Sequence, residues 1–163
     1  MRSADTNEFG PGAYDEYVCV TPGLLFWLTS AFILRPFIVL IASITDRANR
    51  FGLLDLLYPD HIWALLHTAA ALPTLAVVIA YSRRLPRSGA AARWTWHHGL
   101  WLLLASLALN IAFLAVPWLQ HDVKFTTQMG AQIAGCAVLA YLLLRSRRVR
   151  ASFADFPALA TTK

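Results

Sequence analysis

Four stretches of about twenty residues with almost no charge constrain this chain more than anything else in it. A bilayer core of about 30 Å is crossed by roughly 20 apolar residues in a helix. His61–Ser82 contains no Asp, Glu, Lys or Arg. Trp94–His121 is equally uncharged, with His97–Trp118 as its expected span, and Phe125–Leu144 is another such run. Pro22–Ile44 is long enough too but carries Arg35 near its middle. The expected architecture is all-α: an antiparallel four-helix transmembrane bundle with spans at about 22–44, 61–82, 97–118 and 125–144, forming one membrane domain over 1–163. Composition agrees. The chain is 58% apolar and 14% charged, with a mean hydropathy of +0.52, against about 45–50% and about 25% for a soluble domain. Disorder and a disulfide scaffold are excluded, because the apolar residues come in long runs and Cys19 and Cys136 are the only cysteines.

Lys and Arg orient such a bundle. With four spans, both termini and the middle loop share one side. That side carries Arg2, Arg83, Arg84, Arg87, Arg93, Arg145, Arg147, Arg148, Arg150 and Lys163, ten residues, against Arg47, Arg50 and Lys124, three, on the other. Both termini are expected in the cytoplasm of a multi-pass membrane protein. The acidic opening segment lacks the basic start of a signal peptide, so the first span is expected to stay as an anchor. The net charge of +5 does not point to nucleic acid. These arginines abut span ends, where they meet the anionic headgroups of the lipid bilayer. Tyr17, Tyr81, Trp94, Trp96 and Tyr141 inside, and Tyr58, Trp63, Trp118 and Phe125 outside, read as an interfacial aromatic belt. Phe51–Tyr58 reads as a half-buried interfacial turn of helix ended by Pro59.

Little catalytic chemistry is encoded. A membrane cytochrome needs two histidines at matching depth. His67 lies roughly 22 Å from the cytoplasmic end of its span, at 1.5 Å per residue, whereas His97 and His98 lie at that end. His61 and His121 match only at the outer rim. No haem, metal or other cofactor is therefore expected. There is no Cys-x-x-Cys pair, phosphate loop, nucleophile elbow or His-Glu-x-x-His motif. Every Asp and Glu lies outside the spans.

One polar residue per span falls in a common layer. Arg35, His67, Asn110 and Gln132 all lie roughly 18–22 Å from the cytoplasmic surface. Helical spacing gives the second, third and fourth spans a polar or small-residue stripe each: His67, Thr74 and Tyr81; Ser106, Asn110 and Pro117; Gln128, Gln132 and Gly135. Arg35 is the expensive member, since a central Arg is disfavoured by at least about 2.5–3.5 kcal/mol on insertion scales. It is either a structural charge satisfied by Asn110, Gln132, a neutral His67 or snorkelling toward the outer headgroups, or the anchor for an anionic ligand, a lipid headgroup or a partner's carboxylate. Pro36 removes an amide and frees the Phe32 carbonyl, so a bend beside Arg35 is expected.

The order Tyr14-Asp15, Pro22, Phe26-Trp27, Arg35 twelve residues before Arg47, Leu57-Tyr58-Pro59-Asp60 and Ser146-Arg147-Arg148-Val149-Arg150-Ala151-Ser152-Phe153 resembles the YfeZ-like family of bacterial inner-membrane proteins. The resemblance spans nearly the whole chain and implies location and span count but no activity. It also implies that Arg35, Arg47, Asp60 and Arg148 belong to that family's polar set.

Two functional classes follow. The first is a non-enzymatic accessory or assembly protein that binds a protein partner through an intramembrane face and the basic cytoplasmic surface. The second is a small homo-oligomeric transporter or channel unit for an anionic solute or lipid, for which the sequence offers no internal repeat and no broken helix pair. An integral membrane enzyme is the weakest reading, because the spans lack acids and paired ligands.

Overall fold

The computed structural model describes residues 11–15, 19–45, 61–119 and 126–157. Tyr17, Arg47, Arg50, the expected turn at Phe51–Tyr58, Pro59, Asp60, His121, Lys124 and Phe125 lie outside them, as do the side chains of His61, Trp63, Pro117 and Trp118.

Among the described residues the chain is helical. A short 3-10 turn, Pro11–Ala13, is followed by α1 (Leu24–Ile33), α2 (Arg35–Thr45), α3 (His61–Ser82), α4 (Ala90–His97), α5 (Gly99–Leu119), α6 (Thr127–Arg145) and α7 (Arg147–Ala154). The one β feature described is an isolated antiparallel bridge between Tyr14 and Val20. Two straight stretches, Ala64–Ser82 and Thr127–Arg145, are long and apolar enough to cross a membrane. Two bent pairs, α1 with α2 and α4 with α5, qualify if each is taken as one span. The described residues thus hold two to four candidate spans.

Local chemistry sets the breaks. The first apolar run is not one helix: α1 and α2 meet at 58°. Leu34 adopts φ −79°, ψ 2°, and its N–H closes α1 on the Ser30 carbonyl at 2.8 Å. Pro36 has no N–H to continue the ladder, but it is accommodated in the first turn of a new helix. The expected bend is large enough to make a broken pair, which overturns the expectation that no span is broken. The third run is also interrupted. His98 ends α4, its N–H on the Trp94 carbonyl at 3.0 Å, and α5 leaves at 62° from Gly99. At Ser146 one residue serves two helices: its N–H closes α6 on Leu142, and its hydroxyl caps α7 by accepting from the Val149 N–H.

In the packing, α3 lies chiefly along α5, α5 along α6, and α1 and α2 lie against α3. Phe26, Ile33, Ala71, Val77, Leu103, Leu107, Cys136 and Leu143 form the shared interior. Leu24, Ile41, Ile44, Leu65 and Trp101 point outward and are exposed. Large aliphatic and aromatic groups left outside on most helices suit a hydrocarbon solvent, where van der Waals packing rather than burial from water holds helices together.

The N-terminal segment, the 83–89 loop and the C-terminal segment gather at one end. There Arg84 is buried, its Nη1 donating to the Val20 carbonyl (3.2 Å) and lying 3.5 Å from Asp15, its Nη2 donating to the Asp155 carbonyl (2.9 Å). Its guanidinium lies 5.0 Å from the centre of the Trp96 ring. Trp96, fully buried, donates its indole N–H to the Ser152 and Asp155 carbonyls. Arg148 donates to the Thr21 carbonyl and hydroxyl. Two sequence expectations change here. Arg84 and Arg148 are internal ties rather than headgroup contacts. Trp96 is a core residue instead of part of the belt, whereas Trp94 and Tyr141 are exposed as the belt requires. The C-terminal segment folds onto the same end, because α7 buries Val149, Ser152 and Phe153. Cys19 is buried beside this knot, and burial pushes its thiol above the ordinary value, with Arg84 pulling the other way and Asp15 and Asp155 adding to the rise.

Candidate intramembrane polar site

The four residues of the expected polar layer are held on α2, α3, α5 and α6, and the structure joins them as neighbours in two hydrogen bonds. Arg35, the first residue of α2, donates from Nη2 to Gln132 Oε1 on α6 at 2.8 Å. Among the described residues Gln132 is its one hydrogen-bond acceptor. The guanidinium also lies 4.8 Å from the centre of the Phe32 ring, a cation–π contact from the last turn of α1. Phe32 can approach because α6 carries Gly135 there: a Cβ at that position would stand 3.3 Å from Phe32 Cζ. The helix break therefore has a local consequence. It directs Phe32 and Arg35 from two different helices onto one short stretch of α6.

The second hydrogen bond joins α3 to α5. His67 Nδ1 and Asn110 Oδ1 are 3.1 Å apart, and Asn110 Nδ2 donates to the Ser106 carbonyl at 3.0 Å. Because the amide nitrogen is committed to Ser106, its oxygen is the acceptor and His67 Nδ1 is the donor. In a neutral imidazole this leaves Nε2 as an acceptor. Both residues are buried, and Phe113 packs edge-on to the imidazole at 6.3 Å between ring centres. Asn110 thus spends its carbonyl on His67, and of the acceptors considered for Arg35 the one it uses is Gln132.

The stripes are half right. Thr74 and Ser106 are fully buried with His67 and Asn110 on the α3–α5 seam, and neither hydroxyl has a hydrogen-bond partner among the described residues. On α6 the inward line runs through Gln132, Gly135 and Cys136, while Gln128 is exposed. Only 11% of the Thr127–Arg145 stretch is buried, against 39% of Ala64–Ser82. Arg35 and Gln132 accordingly lie beside the least covered candidate span, and His67 and Asn110 in the best packed seam. The layer combines a cation that has one hydrogen-bond acceptor among the described residues with a buried His67–Asn110 pair. Among the described residues no three of His, Cys, Asp and Glu cluster as metal ligands would.

Comparison with known proteins places this geometry in a family. The model of a family described as "Protein of unknown function (DUF2919)" matches residues 9–155. Inner membrane protein YfeZ of Escherichia coli (strain K12) is 29% identical over 151 residues, covering 91% of this chain and 95% of that protein. No solved structure matches.

Proposed function

The chain belongs to the DUF2919 family, and on that premise we propose that it is a multi-pass protein of the bacterial inner membrane, a non-enzymatic accessory that holds an acidic group of a partner at Arg35. The name of its Escherichia coli relative supports the location. Taking each bent pair as one span gives the four spans of the proposed bundle, and the ten-to-three distribution of basic residues supports both termini in the cytoplasm. The observation that carries the functional reading is the Arg35–Gln132 contact. An intramembrane cation is expensive and functional by default, and here one neutral carbonyl answers a fork of five donors. The contact lies on the thinly covered side of the molecule, where a second helix with a carboxylate could reach it. Arg35, His67, Asn110 and Gln132 form the proposed partner-binding set, with the first and last touching the partner and the His67–Asn110 pair locking α3 to α5.

A small oligomeric transporter or channel unit for an anionic solute or lipid is the second reading, favoured by the broken helix at Arg35. Discontinuous spans are where many transporters place their ligands. A photo-crosslinker at the exposed Ala131, used in native membranes, separates the two. The accessory reading expects a heterologous adduct that Arg35→Leu removes without changing insertion. A homodimer adduct instead supports the transport unit. An undiminished heterologous adduct in Arg35→Leu refutes Arg35 as the contact and leaves it a structural charge.

A further inference from the structure

The basic residues at the end where the termini gather divide into two classes once their partners are known. Arg84 and Arg148 are tied to the backbone around Asp155 and Thr21. Arg93 donates to the Pro86 carbonyl at 2.7 Å and lies 5.4 Å from the Phe156 ring centre, and Arg145 donates to the Tyr141 hydroxyl. Arg83 and Arg87 are different. Both are exposed, and, like those of Arg147 and Arg150 on α7, their side chains have no hydrogen bond or ion pair among the described residues; unlike those two, they share a cavity.

These two arginines line one open cavity of about 340 Å³, together with Leu85, Ala91 and Ala92. No acid lines it. Its height follows from the chain: Arg83 comes directly after Ser82, the last residue of the Ala64–Ser82 candidate span, so the cavity opens where hydrocarbon gives way to headgroups. Leu85, about half exposed, supplies an apolar wall beside the two cations.

We propose that this cavity binds the phosphate of an anionic membrane phospholipid, with Arg83 and Arg87 on the phosphate and Leu85 against the glycerol and first methylenes. Charge complementarity selects the headgroup, since two unpaired guanidiniums face no protein anion and guanidinium matches phosphate in a bidentate fork. The apolar wall selects a lipid over a free anion, which would leave Leu85, Ala91 and Ala92 against water. The proposal is independent of the role given to Arg35.

Native mass spectrometry of the full chain in detergent, titrated with phosphatidylglycerol or with phosphatidylcholine of the same acyl chains, tests it. Wild type retains phosphatidylglycerol preferentially. Arg83→Gln with Arg87→Gln lowers that retention roughly twenty-five-fold, at about five-fold per arginine. Eight of the ten basic residues on that side remain, so the orientation is kept. Arg147→Gln with Arg150→Gln, at exposed positions of α7, is the control and changes retention less than two-fold. Equal retention of the two lipids, an equal loss in the control pair, or displacement of phosphatidylglycerol by millimolar inorganic phosphate would each overturn the proposal.

Discussion

Gly99→Ala is the substitution whose sign best tests the packing at the gathered end. A helical Gly→Ala change ordinarily stabilises, by up to about 1 kcal/mol in a helix interior and less at a first position such as Gly99. Here the new methyl would stand 2.2 Å from Phe153 Cε1, 2.7 Å from Cδ1 and 3.0 Å from Cζ. The ring has nowhere to turn. It is 4% exposed, with its centre 4.8 Å from that of Trp96 and 6.0 Å from that of Phe26. Overpacking of this kind costs about 1–3 kcal/mol, which exceeds the propensity gain and is relieved most easily by lifting α7. A net loss of about 1–2 kcal/mol raises the undocked population roughly 5–30-fold. Trypsin reads that population directly, because Arg147, Arg148 and Arg150 lie on α7 and cleavage of a helix follows its open fraction when reclosing is fast. Cleavage in detergent should therefore accelerate by that factor, and Phe153→Ala should cost less in the Gly99→Ala background than in wild type, as expected for groups in contact. Unchanged or slower cleavage in Gly99→Ala, or strict additivity with Phe153→Ala, would refute the docking of α7 against the start of α5.

Two further expectations follow from the same end of the molecule. A phosphatase fused after Lys163 should be inactive and one inserted near Asn49 active if the orientation proposed from the basic bias holds; the reverse pattern refutes it. Burial raises the Cys19 thiol, so the thiolate fraction at any pH below its raised value is smaller than for an ordinary cysteine. Alkylation of Cys19 in the Cys136→Ala protein should lag behind that of a cysteine introduced at the exposed position 147 throughout the neutral range and rise only on stronger alkalinisation, and a Cys19 that reacts faster contradicts its placement beside the Arg84 knot.

The chain's relation to the membrane was legible without coordinates. Run length and the absence of charge act on each segment separately, through its own contact with lipid or water, so Ala64–Ser82 and Thr127–Arg145 could be recognised from their residues alone. Depth is a one-dimensional quantity as well. Counting residues along each helix was enough to place Arg35 level with Gln132 and His67 level with Asn110. The bend beside Arg35 was legible for the same reason, because Pro36 removes a backbone donor wherever the rest of the chain lies. Its size was not, and a 58° turn makes two helices of what reads as one.

The partners of the arginines belonged to the tertiary structure. Arg83, Arg84 and Arg87 are near-identical as sequence, three cations in a loop after a span, yet Arg84 is buried against Val20, Asp15 and Asp155 while the side chains of Arg83 and Arg87 are exposed. That choice requires residues 15, 20, 84, 96, 152 and 155 to meet at one point. No periodicity encodes it, because each contact joins a different pair of elements and forms only after the helices have brought their ends together. Trp96 follows the same logic. An interfacial aromatic and a core aromatic have the same local sequence, and only the arrival of Phe153 and the Ser152 carbonyl decides which one it is. Lipid contact is a property each residue meets alone, so sequence determined the spans. Pairing is a property of two residues far apart in the chain, so the knot at the termini and the choice of Gln132 for Arg35 were settled only by the fold.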